Sequence, residues 1–420
     1  MSASFGHNGC DTLMLGFDYE LRRRGYAGNS CQIVLGLSRE IDPSRLEERL
    51  ADLARRHPIL CSRPSRGLNF KPRWKTTRAA PAVRVHAEAP DMRQKLFNEP
   101  LDIHRGQLVR LDLSGRTLTF TWAHALMDAK SAEYFLALAG SDNVPELKLG
   151  EDWYARRATT AGGLRARGRQ AWRELRRLDE FQAALPVSLA TRRQTLTPIM
   201  KYQTAAFTRE DSARVRASAA KLCGFLGDTN FHIAVTLLEL HRLHERAQCA
   251  SASYVLPIPI GLRPKGERAP LFSNQITMML HQFLPGELAT LEQAAAAVKA
   301  RNAAYLRDEH INPGIALAQL FRSLPLPLYM RLIKQPLRGE ICSLFFGETA
   351  AVDPMLQTFL GADIETFVHV PAVTVPPGLG VVFYRFREQL QFTLVYAADT
   401  LSDAEAADFA ARLRERLLHP

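Results

Sequence analysis

No apolar run in this 420-residue chain approaches the roughly 18 residues a membrane span requires. The opening MSASFGHNGCD has no basic stretch followed by an apolar one, so neither a membrane-spanning nor a signal-bearing protein is expected. C-x-x-C pairs are missing as well. The six cysteines, Cys10, Cys31, Cys61, Cys223, Cys249 and Cys342, are scattered, which argues against a disulfide framework or a structural zinc and suits a reducing cytoplasm. Neither G-x-x-x-x-G-K-[ST] nor G-x-G-x-x-G occurs, which removes the usual phosphate-cradling loops. G-x-S-x-G is also absent, leaving a serine-hydrolase route without a visible nucleophile. No metal site and no bound cofactor are expected. What is present is ordinary in amount: apolar residues make up 46% and charged residues 23%, as in soluble globular proteins. The length allows two lobes.

The most informative stretch is Thr117–Gly140, TLTFTWAHALMDAKSAEYFLALAG. Leu118, Phe120, Trp122 and His124 alternate with Thr117, Thr119, Thr121 and Ala123, which places His124 at the end of a strand on one face with three large apolar side chains. Asp128 then stands where an N-cap belongs, before a helix over Ala129–Ala139. An imidazole held among apolar neighbours has its charged form disfavoured, and a neutral, oriented imidazole can act as a general base. Spacing alone does not separate this from a core histidine beside a capping aspartate. A second His-x-x-x-Asp, His7 and Asp11, lies in the glycine-flanked segment GHNGCD with no strand evident before it and reads as coincidence.

Context carries the argument further. Asp42-Pro43 opens a helix with an N-cap and a proline at its first position; Leu46, Leu50 and Leu53 give it one apolar face, and it stops at His57-Pro58. Gln107–Leu113, a Ser114-Gly115-Arg116 turn and the His124 strand form a hairpin signal. The helix ending LARRHPIL, the stretch PLDIHRGQLVRLDL and the HALMD motif, in that order, resemble the N-terminal half of the CoA-dependent acyltransferase superfamily. That group includes chloramphenicol acetyltransferase, peptide-synthetase condensation domains, wax ester synthase/diacylglycerol acyltransferases, polyketide-associated acyltransferases and plant BAHD acyltransferases. Tyr254–Leu280 (YVLPIPIGLRPKGERAPLFSNQITMML) resembles the superfamily's strand–Arg–loop–Asn segment, and Val381–Tyr396 with a helix opening at Ser402 resembles its C-terminal end.

The resemblance implies an α/β (α+β) fold of two chloramphenicol acetyltransferase-like lobes, residues 1–180 and 195–420, each a sandwich with a mixed, largely antiparallel sheet and a channel between them. It implies His124 as the base and an Asp128–Arg263 ion pair that shapes the site. Asn274 and Trp122 are then expected beside the channel. Ser343, before Leu344-Phe345-Phe346-Gly347, reads either as a turn serine or as a remnant of the superfamily's serine segment near the reaction centre. The implied reaction moves an acyl group from acyl-CoA or from the phosphopantetheine arm of an acyl carrier protein to a hydroxyl or amine of a small-molecule or lipid acceptor. A condensation-type enzyme strictly dependent on a carrier protein, and a non-catalytic relative that recruits a partner, are the alternatives. Two positions depart from the pattern. Ala123 replaces a second histidine common in condensation domains, as in single-histidine members, and Ala129 replaces the usual glycine after the aspartate.

Net charge is +11, with 54 basic and 43 acidic residues. It concentrates in Arg156–Arg177, where eight arginines face one glutamate. From Leu164 onward Trp172, Leu175, Leu178 and Leu185 recur at helical spacing, so a basic amphipathic helix with a packed apolar edge is expected after Gly162-Gly163. It reads as a solvated crossover between lobes, or as a dock for an acidic carrier protein, CoA phosphates or an anionic membrane surface. No nucleic-acid recognition module accompanies it. His241 and His244 share a helical face without a third ligand, which predicts an exposed polar face. Pro257-Ile258-Pro259 and Leu324-Pro325-Leu326-Pro327 are expected in loops or lobe connections. The chain is expected to be a cytoplasmic monomer.

Overall fold

Caps and periodicity written in the sequence set most element ends. In the computed structural model, which describes residues 4–67, 70–141, 163–192, 198–225, 227–264 and 266–420, β1 (Ser4–Gly6) leads into α1 (Gly9–Arg22), and Asn8 and Asp11 close a capping box at its start. After β2 (Ser30–Leu37), α2 (Pro43–Arg56) begins on the Asp42 cap and buries Leu46, Leu50 and Leu53. It ends at His57 because the residue before a proline is pushed out of the helical region. β3 (Ser62–Arg66), β4 (Pro72–Thr76), β5 (Ala82–His86) and α3 (Met92–Phe97) precede the hairpin of β6 (Val109–Ser114) and β7 (Thr117–Ala123). Gly115 turns that hairpin at φ +52°, a conformation costly for any residue with a Cβ. Then come α4 (Ala129–Gly140) and α5 (Leu164–Asp179).

The second half runs β8 (Met200–Ala206), α6 (Arg209–Cys223), α7 (Asp228–Arg246), β9 (Tyr254–Gly261), β10 (Ile276–Phe283) and α8 (Leu291–Arg307). It continues with α9 (Ile311–Phe321), α10 (Leu326–Lys334), β11 (Phe345–Ala351), β12 (Thr358–Phe359), β13 (Ala362–Val370), β14 (Leu379–Phe386), β15 (Gln389–Ala397) and α11 (Asp403–Leu418). Ser402 and Glu405 form the capping box of α11.

The strands form a six-stranded sheet, β12-β13-β2-β7-β6-β5, and a four-stranded sheet, β11-β14-β15-β8. Smaller sheets pair β1-β4-β3 and β9-β10. Among the described strand pairs only β5–β6 and β11–β14 are parallel, so the fold is two-lobed α/β with largely antiparallel sheets. The cut in sequence near residues 180–195 does not separate the two large sheets. β12 and β13, from the far end of the chain, complete the first sheet, and β13 pairs with β2 through Val368–Val34 and Val370–Gln32. β14 joins the lobes: Val382, Tyr384 and Phe386 pack into the first core, while Leu379, Val381 and Phe383 pack into the second. This is the period of two of a strand buried on both faces.

Several expectations are corrected here. Pro257 and Pro259 lie within β9, not in a loop. The Leu262 N–H donates to the Gln275 carbonyl at 2.9 Å. Counting back in twos through the β9–β10 register puts both prolines at positions whose N side points away from β10, where a missing N–H costs no ladder bond. Pro325 caps α10, with Leu326 and Pro327 in its first turn. On α5, Trp172 is 59% exposed with the Arg176 guanidinium 5.6 Å from its ring; the buried positions are Ala171 and Glu174. Glu174 can turn inward because Arg177, at 2.6 Å, compensates its charge. Positions 156–162 of the basic segment lie outside the described residues. His241 and His244 are not an exposed pair. Both pack edge-on against Tyr254, His241 Nδ1 lies 2.9 Å from the Tyr254 hydroxyl, and His244 Nδ1 lies 3.0 Å from the Cys249 carbonyl. A strand, β1, does precede His7.

Candidate active site

The end of β7 and the start of α4 form the floor of the site. Trp122, on β7, donates from Nε1 to the Met127 carbonyl at 3.0 Å and closes the turn between them. His124 sits in that turn, its N–H donating to the Asn29 carbonyl at 3.0 Å. Asp128 caps α4 by accepting from the Ser131 N–H at 3.0 Å. The same carboxylate accepts from Arg263 Nη1 at 3.0 and 2.9 Å and from the Gln275 N–H at 2.8 Å. Arg263 Nη2 reaches the Ser131 hydroxyl and the Pro270 carbonyl. One aspartate therefore ties the helix start to the loop between β9 and β10, with its negative charge matched by Arg263 and by the helix N-terminus.

Asn274 occupies a different place from the one expected. It is fully buried, donating from Nδ2 to the His124 carbonyl at 2.9 Å and to Asp11 Oδ1 at 2.9 Å. Both amide hydrogens are thus committed, and the residue does not line the cavity; it holds the main chain of His124. Asp11 Oδ1 also accepts from the Asn274 N–H at 2.8 Å, so the aspartate read as coincidental is one residue removed from His124. His7 has no such link. It is buried against Trp74, ring centroids 4.5 Å apart. Ser343 is buried too, exchanging hydrogen bonds with Val255 of β9 at 2.7 and 3.0 Å, and it lies off the cavity. Neither Asn274 nor Ser343 is placed to donate to a substrate oxyanion. The polar residues that line the cavity include Lys130, Gln275 and Thr349.

That cavity measures about 550 Å³, the size of a small-molecule site. It lies at the seam, lined by His124, Trp122 and Cys31 from the first sheet, Arg263 and Gln275 from the β9–β10 loop, and Phe346 and Val382 from β11 and β14. His124 is half-buried, with Nδ1 enclosed and without a hydrogen-bond partner. Nε2 is the ring nitrogen with access to the cavity. Burial lowers the His124 pKa from its usual 6.5; the main chain of His124 and Met127, the Asp128 charge and Asn274 oppose that shift without cancelling it. Ala129, in the cavity wall, is the first residue of α4, where φ is negative and a methyl group is unstrained.

His369 is the site residue the sequence did not disclose. It lies on β13, 245 positions from His124 by number, yet it lines the same cavity and stacks on Trp122 at 6.0 Å. Burial and the nearby Lys130 and His124 push its pKa down to about 3, so it is a neutral wall rather than a second charge. No period or motif marks it, because strand pairing at the far end of the chain brings it in.

A base at His124 would have to be unprotonated, and burial favours that form, so kcat/KM for a reaction that uses it should hold its plateau as pH falls to 6.5 and decline only below it. A decline centred above pH 6.5 in a rate profile would contradict the buried imidazole as base.

No family model and no curated protein matches the chain. Solved structures do. The first condensation domain of the calcium-dependent antibiotic synthetase superposes with TM-score 0.70 at 14% identity, over 99% of this chain and 96% of that one. The chain has the condensation-domain fold. The trichothecene 15-O-acetyltransferase of Fusarium sporotrichioides gives TM-score 0.72 at 13% identity, over 99% and 95%. The epimerization domain of the third module of tyrocidine synthetase B gives 0.63 at 13%, over 100% and 96%. The condensation-domain fold thus houses more than one reaction, and the site must specify which. Among the described residues no group of three His, Cys, Asp or Glu side chains could hold a metal. No described helix is long and apolar enough to cross a membrane.

Proposed function

We propose that this chain is an acyltransferase that moves an acyl group from a thioester, on CoA or on a carrier protein's phosphopantetheine arm, to a hydroxyl or amine, with His124 as general base. The observation that carries this is a half-buried imidazole of lowered pKa, its main chain clamped by Asn29 and Asn274 and its Nε2 open to a cavity between the lobes. Neighbours named as an acetyltransferase and as a condensation domain support the reaction class.

In this reading the acceptor and thioester meet at the seam. Nε2 takes the proton of the acceptor as oxygen or nitrogen attacks the carbonyl carbon. The tetrahedral adduct then expels the thiolate, and the imidazolium returns the proton to sulfur, releasing a free thiol. No covalent acyl-enzyme is formed. Fixing two substrates in line removes entropy from a bimolecular step, and any donor toward the oxyanion contributes through preorganisation. Asp128 and Arg263 shape the floor and take no proton.

The test is a screen of acyl thioesters against primary alcohols and amines, reading free thiol. The expected result is thiol release that depends on both substrates. A carrier-protein-dependent condensing enzyme is the second reading, favoured by the exposed arginines of α5, Arg165, Arg169, Arg173 and Arg176. Competing acyl-CoA against the same acyl group on an acyl carrier protein decides between them: preference for the carrier-bound donor by tenfold or more selects the second. Thiol release at the uncatalysed rate with every donor would overturn both.

A further inference from the structure

The catalytic cavity does not end at its own wall. Ile276, Met278 and Phe345 line it and also line a second cavity of about 140 Å³. β10 explains the join. Its alternate residues Met279 and Phe283 sit in the second lobe's core, while Ile276, Met278 and Leu280 keep partial exposure inside the molecule. They form a row that leads inward from Gln275, which holds the Asp128 carboxylate through its N–H. Beyond them the second cavity is walled by apolar faces of α1, α9 and α10, with Leu13, Phe17 and Phe321 among them. Among the described residues of the lining Glu174 is the only charged one, and Arg177 already pairs with it.

A space with so few polar partners does not hold ordered water, which needs two to four hydrogen bonds. Partly exposed aliphatic and aromatic side chains deep in a protein forfeit contacts unless something apolar fills the gap. An unbranched hydrocarbon chain satisfies both conditions, and the neck at Ile276, Met278 and Phe345 aims it from the cavity that His124 faces.

We propose that this arm receives the aliphatic chain of the acyl donor, so that the donor class is a thioester of a straight-chain fatty acyl group several methylenes long, not acetyl or aminoacyl. The placement of the reacting carbonyl rests on the acyl-transfer reading above; the existence of a chain-binding arm does not.

Calorimetric titration with straight-chain carboxylates from butyrate to decanoate tests the arm without turnover. For wild type and for His124→Ala alike, affinity should rise by about fourfold per methylene, the ratio expected for burying one CH₂, until the arm is full. Gly314→Leu shortens the space. Gly314 lies in α9, and a Cβ there meets only the Tyr305 hydroxyl at 3.5 Å and Thr277 Oγ1 at 3.7 Å, ordinary contacts. That variant should lose tenfold or more in decanoate affinity and less than twofold for butyrate. Met278→Trp, at the neck, should do the same and covers the case in which the first variant fails to fold. Equal affinity for butyrate and decanoate in wild type, or undiminished decanoate binding in both folded variants, overturns the arm even if His124→Ala abolishes transfer. Conversely, chain-length-dependent binding combined with full transfer by His124→Ala leaves the arm standing and removes the acyl-transfer role of the histidine. With hydroxylamine as acceptor, kcat/KM for acyl-CoA should climb along the same series; binding that depends on length with thiol release that does not would overturn the assignment of the chain to the donor.

Discussion

His124→Ala is expected to lower the rate of the proposed acyl transfer by about 10²–10⁴-fold, the usual contribution of a positioned general base. In the proposed reaction the loss appears in kcat, because there the imidazole takes the proton only as the acceptor attacks. Stability changes by about 1 kcal/mol, since the side chain makes no hydrogen bond that holds the fold and its Nδ1 is already without a partner. The main-chain bonds to Asn29 and Asn274 survive the substitution. Steady-state kinetics with a saturating thioester, paired with urea unfolding, separate the two effects. Wild-type turnover in a folded variant would remove the histidine from the chemistry. Inactivity of both proteins with every thioester would instead point to a role in recruiting a partner.

Asp128→Ala acts on folding and turnover together. The carboxylate is buried beside a guanidinium that is itself only 13% exposed, so truncation strands a positive charge, and the loss is about 3–5 kcal/mol. It also leaves the Gln275 and Ser131 N–H groups without their acceptor. Asp128→Asn discriminates the parts. Asparagine still caps a helix but cannot balance Arg263, so it should recover the cap and not the pair. Asp128→Ala combined with Arg263→Met should cost less than the sum of the single changes, because the second removes the charge the first left bare. Urea midpoints for the four proteins supply the cycle. An Asp128→Ala midpoint equal to that of wild type, or strictly additive costs, would show that the pair holds nothing together.

Much of this site was legible because it is local. The strand period ending at His124, the cap at Asp128 and the helix after it are decided within one stretch of chain, where side-chain alternation and unsatisfied N–H groups leave few options. The Asp42-Pro43 and Ser402 helix starts were readable for the same reason. Arg263 came only with a family resemblance, since no local rule links positions 135 apart. The reading of Asn274 as a channel residue, and of Ser343 as a remnant near the reaction centre, failed for a common cause. A polar residue near a site in sequence has its valences claimed by whatever main chain the fold brings beside it: His124 and Asp11 for the one, Val255 for the other.

Alternation and capping, then, belong to the chain itself, because they depend on neighbours within a few bonds of one another; these determined the histidine's strand end and the helix that follows it. Packing at long range decided the rest. β13 returns from beyond residue 360 to set His369 beside Trp122, Asp11 reaches the site through Asn274, and two sheets close over an imidazole whose pKa falls because water is excluded from it. Burial is a property of the assembled molecule, and so is the apolar second cavity, whose walls are drawn from α1, β10, α9 and α10.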